Sequence, residues 1–88
     1  MNEEETERTM INAAKAVATQ TLAVLGQEEP ILKFFAFEHL PEKLQDVSFA
    51  FASLAIQLTD IPRSAERTVA FRKILEGKDA AVRASLTK

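Results

Sequence analysis

The residues most able to recognise a small charged ligand lie in two clusters of this 88-residue chain. Phe37 and His39 flank a Leu-Pro corner, and Arg67 and Thr68 follow Ser64 in "SAERT". An exposed ring at Phe37 suits stacking on a nucleobase, an interaction worth about 1–3 kcal/mol per base. The same ring also suits a core or a subunit contact. His39 can donate to a phosphate or a base, or simply hydrogen-bond within its corner. Arg67 carries a planar fork that matches phosphate oxygens, and a helix opening near it would aim backbone amides at an anion. The competing role for "SAERT" is an ordinary helix cap with a neighbouring charge pair.

Other chemistry is poorly served. No Walker loop, dinucleotide fingerprint or HExxH motif is present. Ser48, Ser53 and Ser64 have no base at triad spacing, and His39 is the only histidine, without an evident acid–base companion. The absence of cysteine excludes disulfides and thiolate metal sites and fits a reducing, cytoplasmic interior. These features predict a protein that is not an enzyme and uses no cofactor.

The bulk numbers narrow the partners. A formal net charge of -2 argues against duplex DNA or RNA. The charge is unevenly placed, with four Glu and one Arg in residues 1–9, and seven basic against three acidic residues in 63–88. The basic C-terminal element can serve a small anion even in an acidic protein. The start, "MNEEETERTM", is acidic and lacks an apolar segment, so neither a signal peptide nor a membrane span is expected. Hydrophobic residues make up 47% of the chain. A domain of this length hides only about 60–65% of its unfolded surface. So much apolar content therefore predicts burial between copies.

Positioning falls to helices. Alanine is abundant and no segment alternates as a strand does, which predicts one all-α domain. Residues 1–8 read as frayed. Residues 9–26 read as a helix in which Ile11, Ala14, Ala18, Leu22 and Leu25 recur at helical spacing, with Gly26 as its stop. Residues 31–38 read as a short helix or corner with Ile31, Phe34 and Phe35 on one side. Residues 41–86 read as a long antiparallel hairpin. Its first helix uses Leu44, Val47, Phe51, Leu54 and Leu58 as the buried stripe; "DIPRS" is the turn. The second helix, capped by Ser64, presents small residues Ala70, Gly77, Ala81 and Ala84 for close packing. Surface pairs Arg72–Glu76 and Asp79–Arg83 are spaced four apart, Arg83 is placed to reach a neighbouring subunit, and Lys78 with Asp79 can line a pocket.

Two stretches, "KFFAFEHLPEKLQDVSFAFASLA" and "ERTVAFRKILEGKDAAVRA", together resemble the helical-hairpin family of phage and prophage anti-defence proteins. The resemblance covers about residues 33–84. That family includes sponges that sequester cyclic-nucleotide signals of the bacterial CBASS system and cyclic ADP-ribose-type signals of Thoeris systems. It implies a homo-oligomer, a hexamer in characterised sponges, capturing cyclic di- or trinucleotides without cleaving them. By the resemblance, Phe37 stands where sponges place a stacking tyrosine, and Ser48 stands near a basic, phosphate-contacting position. Gly77 stands where alanine is expected. Arg67, Thr68 and Arg83 keep polar functions in the matching segment. The residue reading and the resemblance together give an expected ligand set of Phe37, His39, Ser48, Arg67, Thr68, Arg72 and Arg83. The alternative reading is a structural or protein-binding helical module of phage origin without nucleotide binding.

Overall fold

The first helix, α1, begins far earlier than apolar periodicity alone indicates. It spans Glu3–Leu25 in the computed structural model, which describes residues 2–87. The cause is local. The Asn2 side chain accepts a hydrogen bond from the Glu5 amide at 2.8 Å, and the Glu5 carboxylate accepts from the Asn2 amide. This reciprocal pair satisfies two otherwise orphaned donors, and Glu3, Glu4 and Glu5 sit at the positive end of the helix dipole. Residues that read as a frayed acidic tail are therefore a helix start. At the other end Gly26 has φ −65° and ψ −16°, a right-handed conformation. Glycine is required there by closeness: a Cβ on Gly26 would sit 2.7 Å from the Leu22 carbonyl oxygen, with Lys33 Cγ next at 3.0 Å.

Pro30–Phe35 forms a 3₁₀ helix, α2 of the chain. Three residues per turn put positions i and i+3 on one line. Leu32 and Phe35 consequently both face inward and are fully buried, and Phe34 is turned out to 66% exposure. The α-type spacing that groups Phe34 with Phe35 is corrected by this tighter winding.

Glu42–Leu58 forms α3, and Ala65–Leu86 forms α4. Pro41 stands at the N-cap of α3, and its carbonyl accepts from the amides of Leu44 and Gln45. The buried residues of α3 are Ser48, Ala52 and Ala55. Leu44, Val47, Phe51 and Leu58 are half-buried at its flanks, and Leu54 faces outward. The reason is position: α3 packs against α1, α2 and α4. An element approached from several directions needs small side chains where the others come closest, and larger ones between them.

In α4 the inward residues are Arg67 and Phe71, continued by half-buried Ile74, Leu75, Lys78 and Val82. The small-residue stripe lies to one side of this face. Ala70 and Ala81 are half-buried there and Ala84 is exposed. A Cβ on Gly77 would stand 3.4 Å from the Phe51 ring, so this glycine does border the α3–α4 contact.

The core joins Ala18 and Leu22 of α1, Leu32 and Phe35 of α2, Phe37, Ala52 and Ala55, and Phe71. No helix among the described residues is long and apolar enough to cross a membrane.

Candidate functional site

Phe37 and Arg67, the two residues with the clearest chemistry in the sequence, are both occupied inside the molecule. Phe37 is 1% exposed and meets Phe49 edge-on, with ring centroids 5.7 Å apart. It packs the corner between α2 and α3 and offers no face to a base. Arg67 is 7% exposed. Its guanidinium donates to the carbonyls of Thr59 and Ile61 and to the Glu29 carboxylate, and lies 5.3 Å from the centre of the Phe71 ring. These bonds tie the α3–α4 connection to the start of α2. A fork used this way has no free edge for a phosphate.

The rest of "SAERT" follows the capping role. The Ser64 hydroxyl accepts from the Arg67 amide at 3.0 Å, and Thr68 donates to the Ser64 carbonyl at 3.3 Å. Thr68 and Arg72 are exposed on the first half of α4. At a rise of about 1.5 Å per residue they lie roughly 15–22 Å from Arg83 along the helix. The expected ligand set therefore divides in two. Arg67, Thr68 and Arg72 do not share a site with His39, Ser48 and Arg83.

Those last three do converge. They line one open recess of about 400 Å³, within the usual range for ligand pockets, about 300–1,000 Å³. Lys33, Phe34, Lys78 and Asp79 complete its polar and aromatic rim, and Ala36, Leu40 and Val82 supply apolar wall. Lys33, Lys78 and Arg83 against the one carboxylate of Asp79 leave an excess of two positive charges among these four groups. Lys78 pairs with Asp79 at 3.0 Å. The expected Asp79–Arg83 and Arg72–Glu76 pairs are replaced by Lys78–Asp79 and Lys73–Glu76. Among the described residues no carboxylate pairs with Lys33 or Arg83, so both charges are available to an anion.

Ser48 sits at the base of this recess. It is completely buried, and its hydroxyl has no hydrogen-bond partner among the described residues. A buried hydroxyl without a partner costs about 1–3 kcal/mol. A serine inside a helix ordinarily bonds back to the carbonyl one turn earlier. This one does not, and because it has no exposed surface a molecule in the adjoining recess reaches it only if the side chains between them shift.

The corner that carries His39 is held by a chain of polar contacts reaching to α1. The Gln45 amide donates to the carbonyls of Leu40 at 2.9 Å and Glu38 at 3.3 Å. Its oxygen accepts from Lys15 at 3.4 Å. Lys15 is buried and pairs with Asp46 at 2.7 Å, and Arg8 grips the same carboxylate with two bonds of 3.1 and 3.3 Å. Hydrogen bonds from Arg8, then from Lys15, hold the Asp46 carboxyl below the usual aspartate range. The α1 helix thus anchors the wall of the recess from behind.

The sequence reading missed Phe34 and Lys33 as site residues. The turn that exposes Phe34 depends on 3₁₀ winding, which has no signature in a six-residue segment. Lys33 is signalled indirectly by Gly26, against which its aliphatic stem packs. Among the described residues, no group of three or more His, Asp or Glu is arranged to hold a metal ion. Comparisons with protein-family models, with curated proteins and with solved structures give no match to this chain.

Proposed function

We propose that this protein is a non-enzymatic binding protein that sequesters an anionic nucleotide messenger, of the cyclic di- or trinucleotide class, and so counters bacterial anti-phage signalling. The observation that carries the reading is an open recess lined by Lys33 and Arg83, two cations that no carboxylate pairs among the described residues, with the buried, unpartnered Ser48 in its wall. Lys33 and Arg83 meet phosphate charge, and Lys78 contributes once Asp79 is displaced. His39 hydrogen-bonds at the rim. The stacking role moves from Phe37 to Phe34, whose ring stands exposed beside the recess.

The proposed assembly is a homo-oligomer of antiparallel α3–α4 hairpins, hexameric as in the sponges that the two quoted stretches resemble. Ser48 and Val82 in one recess, and Phe51 beside Gly77, support the antiparallel reading. The recess is open on one side, which leaves room for a second subunit to cover a bound messenger. Capture without cleavage needs no general base or nucleophile; the lining holds Ser48, His39 and Asp79, but the Ser48 hydroxyl is hydrogen-bonded to neither of the other two.

Isothermal titration calorimetry against a panel of cyclic di- and trinucleotides tests the reading. A saturable heat is expected with at least one of them. Removing one charge-assisted bond by Arg83→Ala should weaken that affinity about 10- to 100-fold. No heat and no thermal shift with any member of the panel rejects the proposal.

A further inference from the structure

The α1 helix carries an apolar surface that its own fold leaves uncovered. Met10, Val17 and Val24 are 66%, 64% and 65% exposed. Their spacing of seven residues keeps them on one stripe, drifting only about 20° per repeat. Beside the stripe, Ala14, Val17 and Thr21 form one wall of a groove of about 400 Å³, and Phe49, Ser53 and Ile56 of α3 form the other. This surface is separate from the Ser48 recess, and its α1 side lies outside the stretches that resemble anti-defence proteins.

We infer that this face is a two-fold interface with a second copy of the same chain, with the two α1 helices antiparallel and the axis at Val17. Two observations select that occupant, and a third its orientation. The first is area. A monomer of 9.8 kDa ordinarily exposes about 5,200 Å². This chain exposes 6010 Å² and extends 46 × 30 × 19 Å. The surplus of about 800 Å² equals one partner's share of a standard protein–protein interface.

The second is self-complementarity. A two-fold contact requires one patch to fit itself. The stripe is nearly palindromic about Val17: Met10 of one copy falls opposite Val24 of the other. Ala13 and Ala14 fall opposite Thr21 and Gln20. Small side chains on one limb of each pair allow the helices to approach.

The third is charge. A parallel pair would set two acidic first turns, each with Glu3, Glu4, Glu5 and Glu7, side by side. The antiparallel pair separates them by the length of the helix. Each then lies near the turn holding Glu28 and Glu29, whose carboxylates are already met by Arg63 and Arg67.

The chain has no cysteine, so one introduced thiol gives a clean test. A residue on the axis faces its own copy within disulfide reach, whereas a residue elsewhere does not. Val17→Cys should form a covalent dimer under mild oxidation at micromolar concentration, and Thr68→Cys, exposed on α4, should not. In sedimentation equilibrium the wild-type protein should have a mass above that of one chain. Val17→Glu, at a position too exposed to matter to the monomer fold, should lose the α1-mediated association and keep the helical circular dichroism. A wild-type protein that is monomeric at the same concentration overturns the inference and assigns the face to a different partner. So does a Val17→Glu protein of unchanged mass, or equal crosslinking through Thr68→Cys. Nucleotide binding in the Ser48 recess can succeed or fail independently of the two variants, whereas a monomeric wild-type protein would also remove the oligomer proposed above.

Discussion

Replacing Ser48 by alanine should make the empty protein more stable and the loaded protein weaker. The hydroxyl is fully buried inside α3 without a partner. Its desolvation costs about 1–3 kcal/mol, and alanine adds up to about 0.5 kcal/mol of helix propensity. The void left by one oxygen offsets a small part of this. A net gain of about 1–2 kcal/mol is expected, which in a domain of this size raises Tm by about 4–16 °C. Binding should move the other way. If a ligand reaching the base of the recess supplies the missing partner, its loss removes one neutral hydrogen bond of about 0.5–1.5 kcal/mol, or about 2- to 10-fold in affinity. Thermal melts of both proteins, with and without a saturating cyclic nucleotide, read the two effects together. The Ser48→Ala protein should melt higher alone and gain less from ligand. A lower melting temperature without ligand refutes the argument, because it means the hydroxyl is satisfied and structural.

The corner phenylalanines should separate sharply. Phe37→Ala removes a ring that is 1% exposed and should cost about 3–5 kcal/mol. Phe34→Ala should change stability by less than about 0.5 kcal/mol and weaken nucleotide binding; chemical denaturation with calorimetry distinguishes the two, and equal stability losses would contradict the 3₁₀ placement. Asp46 gives a pH dependence of definite sign. Its folded-state pKa is depressed by Arg8 and Lys15, so its contribution is present above the unfolded aspartate value, about 4, and disappears as pH falls through the folded value. Asp46→Asn should therefore flatten the acid limb of a stability–pH profile and lower stability at neutral pH, where buried Lys15 loses its 2.7 Å partner; an unchanged acid limb would contradict the network.

What the sequence revealed about this fold depended on the range of the forces involved. All-helical character, the breaks near Gly26, Pro41 and Pro62, and the Ser64 cap are local, and the residues near each break suffice to show them. The Asn2–Glu5 cap is equally local but hides in a run of acids that resembles a solvated tail. Which face of α3 is enclosed is not local. Ser48, Ala52 and Ala55 face the core because α1, α2 and α4 converge on α3, and hydrophobic periodicity alone favours the larger leucines. The candidate site follows the same division. His39, Ser48 and Arg83 are found together, whereas Phe37 and Arg67 are consumed by packing and loop carbonyls, and a chemically apt side chain does not announce its tertiary partner. Phe34 and Lys33 take their places through a 3₁₀ turn and a close approach to Gly26.

Mapping of backbone amide chemical shifts during titration with a cyclic dinucleotide, and then a cyclic trinucleotide, tests the central claim most directly. Saturable shifts should centre on Lys33, His39, Ser48, Lys78 and Arg83, with Thr68 and Arg72 unmoved. Spectra that do not change with any messenger, or changes centred on the Arg67–Arg72 turn, would contradict the account.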